Sequence, residues 1–442
     1  MIEKIKNAIT GKKLSGWQIR ETRETSHQLF LAKEERECVR SVETQLFRVT
    51  LYQRRKSAGA RNDVLGIASF QIGAAELPAL EKRIDEAIFS ASLVNNQLFE
   101  LPSQPESLPV VERMDPSLSV KTLDECEERI KKAVSNEKQI RLSAAEFFMD
   151  RVQTRLVNHH GLDVEQEGTV LETEFILLAE SGSRENEYIN RYKRRFLSDF
   201  DLEGEVKQSA QFAREATVAT LPKTGPFPVL LSGEPLDHLF NPLVARASAR
   251  LKYNRMVETE LGSSVASPGE IKGDSIHVWH NALLKGGLGS YRFDGFGTPG
   301  ARVRLIENNI VRAFLAEKRY ADYLNVPVTG EEGNIEVGPG SIPFNHLLDP
   351  ERLGGGADGD VLYHLQAFSA FEPNVMTGAF SAEIRAGFEI SRKGVRPIKG
   401  GSVTGVLQEA IKDCRLSKER VQRERVLVPQ GIFFKSLTLA GE

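Results

Sequence analysis

The sequence predicts an α+β fold: an N-terminal α/β domain and a larger, predominantly β C-terminal domain carrying a long helix. Three observations predict it. Apolar and polar residues alternate in several short runs, the period of half-buried strands. A few longer stretches place apolar residues every three or four positions, the period of amphipathic helices. Glycine-rich turns at 286–300, 330–340, 354–359 and 400–405 punctuate the C-terminal part, as hairpins require.

Composition sets the bounds. The chain has 442 residues, 40% hydrophobic and 27% charged. That balance supports a sizeable core and, at roughly 100–200 residues per domain, two or three domains. Net charge is −3, with Lys+Arg 58 against Asp+Glu 61. Near-neutrality gives no general attraction to phosphate backbones or anionic lipid. The three cysteines, Cys38, Cys126 and Cys414, lie far apart in no C-x-x-C pair, so a disulfide framework or zinc knuckle is not expected. No apolar run reaches the ~18 residues of a membrane helix. Met1 to Lys6 mixes charges and lacks the apolar core of a secretory signal, so a cytoplasmic location is expected.

Residues 1–100 read as strands followed by a helix. Phe47, Val49 and Leu51 alternate with Arg48 and Thr50, and 65–70 is a second strand. A helix is expected over 74–94, with Leu77, Leu80, Ile84, Ala87 and Ala91 on one face and Pro78 tolerated near its first turn. The polar, proline-bearing stretch 101–116 reads as a linker. Residues 117–222 read as a helix (120–134), two long paired strands (169–180 and 187–197) turning near 180–185, and a closing helix over 203–217. The breaker cluster 224–228, TGPFP, opens a C-terminal domain over 226–442. In it, 229–231 is a short buried strand and one long helix is expected from about 235 to 261.

Several motifs invite chemistry, each with a plainer reading. Glu234 and His238 stand four apart, yet Gly233 occupies the place of a leading histidine, and acids at a helix start suit its dipole. His277 and His280, with Asp274 upstream, would alternate faces on a strand. His159 and His160 precede a glycine and read as a solvated helix end. Gly400-Gly401-Ser402-Val403-Thr404 lacks the last glycine of a nucleophile elbow. Asp358 and Asp360, in a glycine run from Gly354, lack the downstream glutamate of a calcium loop. Arg191, Lys193, Arg194 and Arg195 are the best nucleic-acid candidates, though on a strand they read as a solvated sheet face.

The C-terminal half resembles a known family. In order it carries GGLGSYRFDGFGT (286–298), LIENNIV (305–311), GNIEVGPG (333–340), NVMTGAFS (374–381), GVRPI (394–398) and VTGVL (403–407). Their order and spacing resemble the C-terminal domain of the TldD/PmbA family, whose members are often labelled modulators of DNA gyrase. The resemblance implies two chain types. TldD-type chains carry an H-E-x-x-x-H zinc motif on the helix after a Pro-x-Val-Val strand, with a cysteine as a further ligand. PmbA-type (TldE-type) chains lack it and pair with the first type. The implied assembly is a hollow heterodimer that admits unfolded peptides to zinc on the TldD side.

Counted from Pro228-Val229-Leu230-Leu231, the family's histidines and glutamate fall near Asn241, Arg246 and Pro242. An amide and a guanidinium do not replace neutral imidazole on zinc, and proline is no general base. A shifted register brings in Glu234 and His238 but still no first histidine. The sequence departs from the family pattern at Phe296, in the glycine-rich insertion 354–359, and at Asp413-Cys414-Arg415.

The expectation is therefore a non-catalytic PmbA/TldE-like subunit of a zinc metallopeptidase acting on unfolded peptides, partnered by a TldD-type chain or by itself. No catalytic, cofactor-binding or metal-ligating residue is assigned within this chain, and no cofactor, membrane or nucleic-acid partner is expected. Two rivals stand beside it: a hydrolase with an unorthodox site using Glu234, His238 or Cys414, and a gyrase- or DNA-associated protein using Arg194 and Arg195.

Overall fold

A computed structural model describes residues 1–56, 63–181, 184–349 and 361–442. The first half is organised on one six-stranded antiparallel sheet of order β3-β2-β1-β4-β5-β6. Its strands are β1 (Gly16–Ala32), β2 (Glu35–Lys56), β3 (Asp63–Gly73), β4 (Ile140–Asn158), β5 (Asp163–Ser181) and β6 (Arg184–Arg194). β1 pairs with β4 over its length, so strands from either side of 101–116 share one sheet. β5 and β6 form the expected hairpin, with Glu180 opposite Glu185. His159 and His160 are not at a helix end. They sit in the β4–β5 turn, where Asn158 Oδ1 accepts from the His160 N–H at 2.8 Å and Gly161 takes φ +81°.

One face of this sheet is covered by four helices. α1 (Ile2–Ile9) and α2 (Leu80–Ser92) pack Ile5, Ile9, Leu80 and Ile84 onto Ile19, Phe47, Val49 and Ile72. α3 (Val120–Ser135) and α4 (Leu202–Ala216) pack Leu123, Ile130, Val206 and Ala210 onto Phe147, Leu171 and Phe175. Asp201 caps α4 by accepting from the Gly204 N–H at 3.0 Å. The helix expected over 74–94 divides: Pro78 lies in a 3-10 turn (Ala74–Ala79), and the α-helix starts only at Leu80.

The C-terminal half begins with β7 (Gly225–Ser232). A second sheet has the order β10-β9-β8-β11-β18-β17. It comprises β8 (Val278–Asn281), β9 (Arg302–Glu307), β10 (Ile310–Val311), β11 (Asn334–Val337), β17 (Arg420–Arg423) and β18 (Val426–Pro429). The third sheet holds β12 (Val361–Phe368), β13 (Ala379–Ser391), β14 (Gly394–Ile398), β15 (Ser402–Val406), β16 (Cys414–Leu416) and β19 (Gly431–Ala440) together with β7. Because β12 pairs with both β7 and β13, the strands β12, β7, β19, β15 and β13 close into a ring. Closure removes the unpaired edges of those strands. The main apolar core lies between this barrel and the second sheet, joining Val229, Leu231 and Phe434 to Val278, Ile306 and Val337.

The expected long helix from 235 to 261 is not present. The chain instead makes a 3-10 turn (Glu234–Asp237), α5 (Asn241–Arg246) and α6 (Ala249–Tyr253). A tertiary bond breaks the run: the Ala249 N–H donates to the Leu315 carbonyl at 3.0 Å instead of to its own helix. Ser248 then caps a fresh start, its hydroxyl accepting from the Leu251 N–H at 3.3 Å. A further helix, α7 (Lys318–Leu324), packs beside α6 through Tyr253, Tyr320 and Tyr323. No helix among the described residues is long and apolar enough to cross a membrane.

Candidate functional site

The segment where the resemblance places a zinc motif leaves the barrel at the end of β7. Gly233 turns the chain with φ +73° and ψ −134°, a conformation suited to glycine, and a Cβ there would meet the Gln366 carbonyl at 2.8 Å. The two acids that follow are both engaged. Glu234 accepts from the Tyr188 hydroxyl at 2.9 Å. Burial pushes its carboxyl above the usual range, although Tyr188, Arg385 and Arg423 oppose the shift. Asp237 takes a two-pronged pair from Arg423 at 2.7 and 2.9 Å. His238 is exposed, with Asn241 Nδ2 3.5 Å from its Nδ1.

The positions that the resemblance assigns to the zinc motif lie in α5. Asn241 and Arg246 are half-buried and Pro242 is buried. An amide, a pyrrolidine ring and a permanent cation do not fit a dication that takes imidazole, thiolate or carboxylate. The acids nearest in sequence are held by Tyr188 and Arg423. Among the described residues, no three His, Cys, Asp or Glu side chains stand together as a metal-binding group. Cys414, in β16, is fully buried, and burial pushes its thiol up to about 12, away from the reactive thiolate.

The other sequence candidates separate. His277 and Trp279 stack on one side of β8, their ring centres 6.2 Å apart, with Arg302 over Trp279 at 4.5 Å. His280, on the other side, is 3% exposed, and burial pushes its imidazole down to about 4. Asp274 is elsewhere, accepting from the Leu416 N–H at 2.8 Å. The Asp358–Asp360 run lies outside the described residues.

In the basic cluster, Arg191 and Lys193 both pair with Glu172, at 2.7 and 2.6 Å. Arg194 lies over the Tyr192 ring at 5.2 Å. Arg195 is not on a solvated face. It is 3% exposed, and its guanidinium donates to the carbonyls of Gly287, Leu288, Thr169 and Arg113. Burial, with Arg113 nearby, pushes its pKa down to about 10. This buried fork ties the N-terminal sheet to the glycine-rich loop of the C-terminal domain. Sequence reading missed Tyr188 and Arg423 as partners of the two acids. Arg423 lies 186 positions from Asp237, and no local pattern connects them.

Residues 224–441 match the family model for the PmbA/TldA metallopeptidase C-terminal domain. Two proteins of Methanocaldococcus jannaschii are similar. One, uncharacterized, is 23% identical over 63% of this chain and 65% of its own length. The other, a metalloprotease, is 27% identical over 29% of this chain and 31% of its own length. The chain thus spans less than two thirds of the length of either relative. Three crystal structures share the fold along the whole chain. TldE from Thermococcus kodakarensis has a TM-score of 0.80 at 18% identity, both chains covered in full. Proteins described as modulators of DNA gyrase, from Thermotoga maritima and Bacteroides thetaiotaomicron, each have a TM-score of 0.81. They are 16% and 14% identical, with 100% and 98% of their chains covered. Residues 224–441 thus place the C-terminal half of this chain in the TldD/PmbA family.

Proposed function

We propose that this chain is a PmbA/TldE-like, non-catalytic subunit of a TldD/TldE-type zinc metallopeptidase that acts on unfolded peptides in the cytoplasm. The observation that carries the proposal is the chemistry at α5 inside a metallopeptidase-family domain: Asn241, Pro242 and Arg246 stand where the family resemblance would put ligands and base. The metalloprotease relative supports a peptidase setting, and the TldE fold supports the silent subunit type. The partner is a TldD-type chain or a second copy of this one.

The test has two arms. The purified chain should hold no stoichiometric zinc by elemental analysis and should leave a denatured protein substrate uncleaved. Mixed with a TldD-type chain, it should co-elute with it, and zinc should appear in the complex. Tightly held zinc, or chelator-sensitive cleavage by the chain alone that is lost in His238→Ala, would overturn the proposal in favour of an unorthodox hydrolase.

A further inference from the structure

A cavity of about 300 Å³ lies between the open face of the N-terminal sheet and the C-terminal domain. Its floor is cationic. Arg20 on β1 and Arg48 on β2 are direct cross-strand neighbours. Like charges so placed repel unless an anion joins them. No described carboxylate forms an ion pair with either; Arg20 is half-buried and Arg48 exposed. Its opposite wall carries two carboxylates and one cation: Glu317 and Glu331 project from the C-terminal domain, with the buried Asp294 close behind, while Arg319 beside them donates to the Tyr323 hydroxyl and to Asn96 Oδ1. Glu331 accepts only a backbone N–H, from Gly295 at 2.9 Å. A third feature is an orphaned acceptor. Gln18 lines the cavity and is 9% exposed; its Nε2 donates to the Gly295 carbonyl at 3.0 Å, while its Oε1 has no partner. The remaining wall is aromatic. Phe99 meets Tyr52 and Phe296 edge-on, with centroids 5.8 and 5.7 Å apart.

Opposite charges that face one space without pairing leave both ends of a dipolar ligand a partner. We propose that this cavity binds a small zwitterion, an α-amino acid or short peptide with an apolar side chain. Its carboxylate lies on Arg20 and Arg48. Its ammonium donates to Glu317, Glu331 and the free Oε1 of Gln18. Its side chain rests on Phe99, Tyr52 and Phe296. The carboxylates gain from the ammonium: burial, then Glu331 and Asp294, push Glu317 up to about 7 even though Arg319 and Arg250 oppose the shift, and an arriving cation relieves what repulsion remains. The site lies apart from α5, and the proposal does not depend on the peptidase reading.

Calorimetric titration of the full chain tests it with four probes: L-phenylalanine, phenylalanyl-glycine, phenylacetate and phenethylamine. At least one of the two zwitterions should bind saturably, and which one binds separates free amino acid from peptide. Phenylacetate lacks the ammonium and phenethylamine the carboxylate, so each should bind at least about tenfold more weakly, since the half-buried Glu317 and Glu331, or Arg20, are then left unpaired. Arg20→Gln should weaken the zwitterion about tenfold or more while leaving phenethylamine unchanged, and Glu317→Gln should weaken it while leaving phenylacetate unchanged. Unaltered melting curves will show that both variants fold. Equal binding of phenylacetate and the zwitterions would make this a plain anion site and overturn the proposal, as would no saturable binding of either zwitterion.

Discussion

Single residues carry the sharpest consequences. Asp294 is 3% exposed, and its Oδ1 accepts the Phe296 and Thr298 N–H groups at 2.9 Å. Burial and Glu331 raise its carboxyl from 3.8 to about 6. The folded state therefore binds the proton more tightly than the unfolded state. Stability associated with this group is present below about pH 4 and is lost as pH rises through about 6, a change of order 3 kcal/mol. Asp294→Asn keeps the Oδ1 bonds and cannot ionise. Its advantage over the parent in denaturant melts should grow from pH 4 to pH 7; a difference that stays flat would show that the carboxyl titrates normally. Arg195 makes the opposite case, a cation held by carbonyls alone. Arg195→Met fills a similar volume but leaves the carbonyls of Gly287, Leu288 and Thr169 unpaired, and should cost about 2–4 kcal/mol in urea unfolding. Its sequence context, a run of basic residues on a strand, reads as surface. Burial came from the C-terminal loop that covers it, which no neighbouring residue announces.

Elements were legible where their own periodicity decided them. The apolar spacing of α3 and α4, the 169–197 hairpin and the strands near 47–51 and 229–231 need only local sequence, because one buried face imposes the period. The helix over 235–261 failed for two reasons: Pro242 is tolerated only at a helix start, so α5 opens at Asn241, and the Ala249 N–H finds the Leu315 carbonyl, 66 positions away, within 3.0 Å. Gly233 sets the direction in which this segment leaves β7. Gly233→Ala should destabilise by about 1–3 kcal/mol, through positive φ and the close Gln366 carbonyl, and thermal melts will read it. β2 makes a different prediction. Its residues 46–52 lie between β1 and β3, whereas 35–45 have a described partner on the β1 side alone and 53–56 on the β3 side alone. Hydrogen exchange should find 46–52 protected throughout and only alternate amides slow in 35–45. Uniform protection would point to something covering that edge.

At the scale of the whole molecule, the two halves are joined by polar and apolar contacts together. Gln166 accepts from the Arg292 N–H at 2.9 Å and donates to the Phe293 carbonyl at 3.2 Å. Phe293 is buried with Leu156, Leu162 and Val164 of the N-terminal sheet region. Such coupling predicts one calorimetric transition for the chain, with the calorimetric and van't Hoff enthalpies equal; two resolved transitions would mean the halves unfold independently. By itself the sequence determined the α+β class, the family motifs and the unsuitability of Asn241 and Arg246 as zinc ligands and of Pro242 as a general base, because residue type and local period suffice for each. Only the tertiary structure decided that the segments before and after 101–116 share a sheet, that five strands close into a barrel, and that Arg20 and Arg48 face Glu317 and Glu331 across a cavity. Pairings between strands distant in sequence are set by the global packing of apolar faces, and the polar groups brought together there have no local sequence relation to one another.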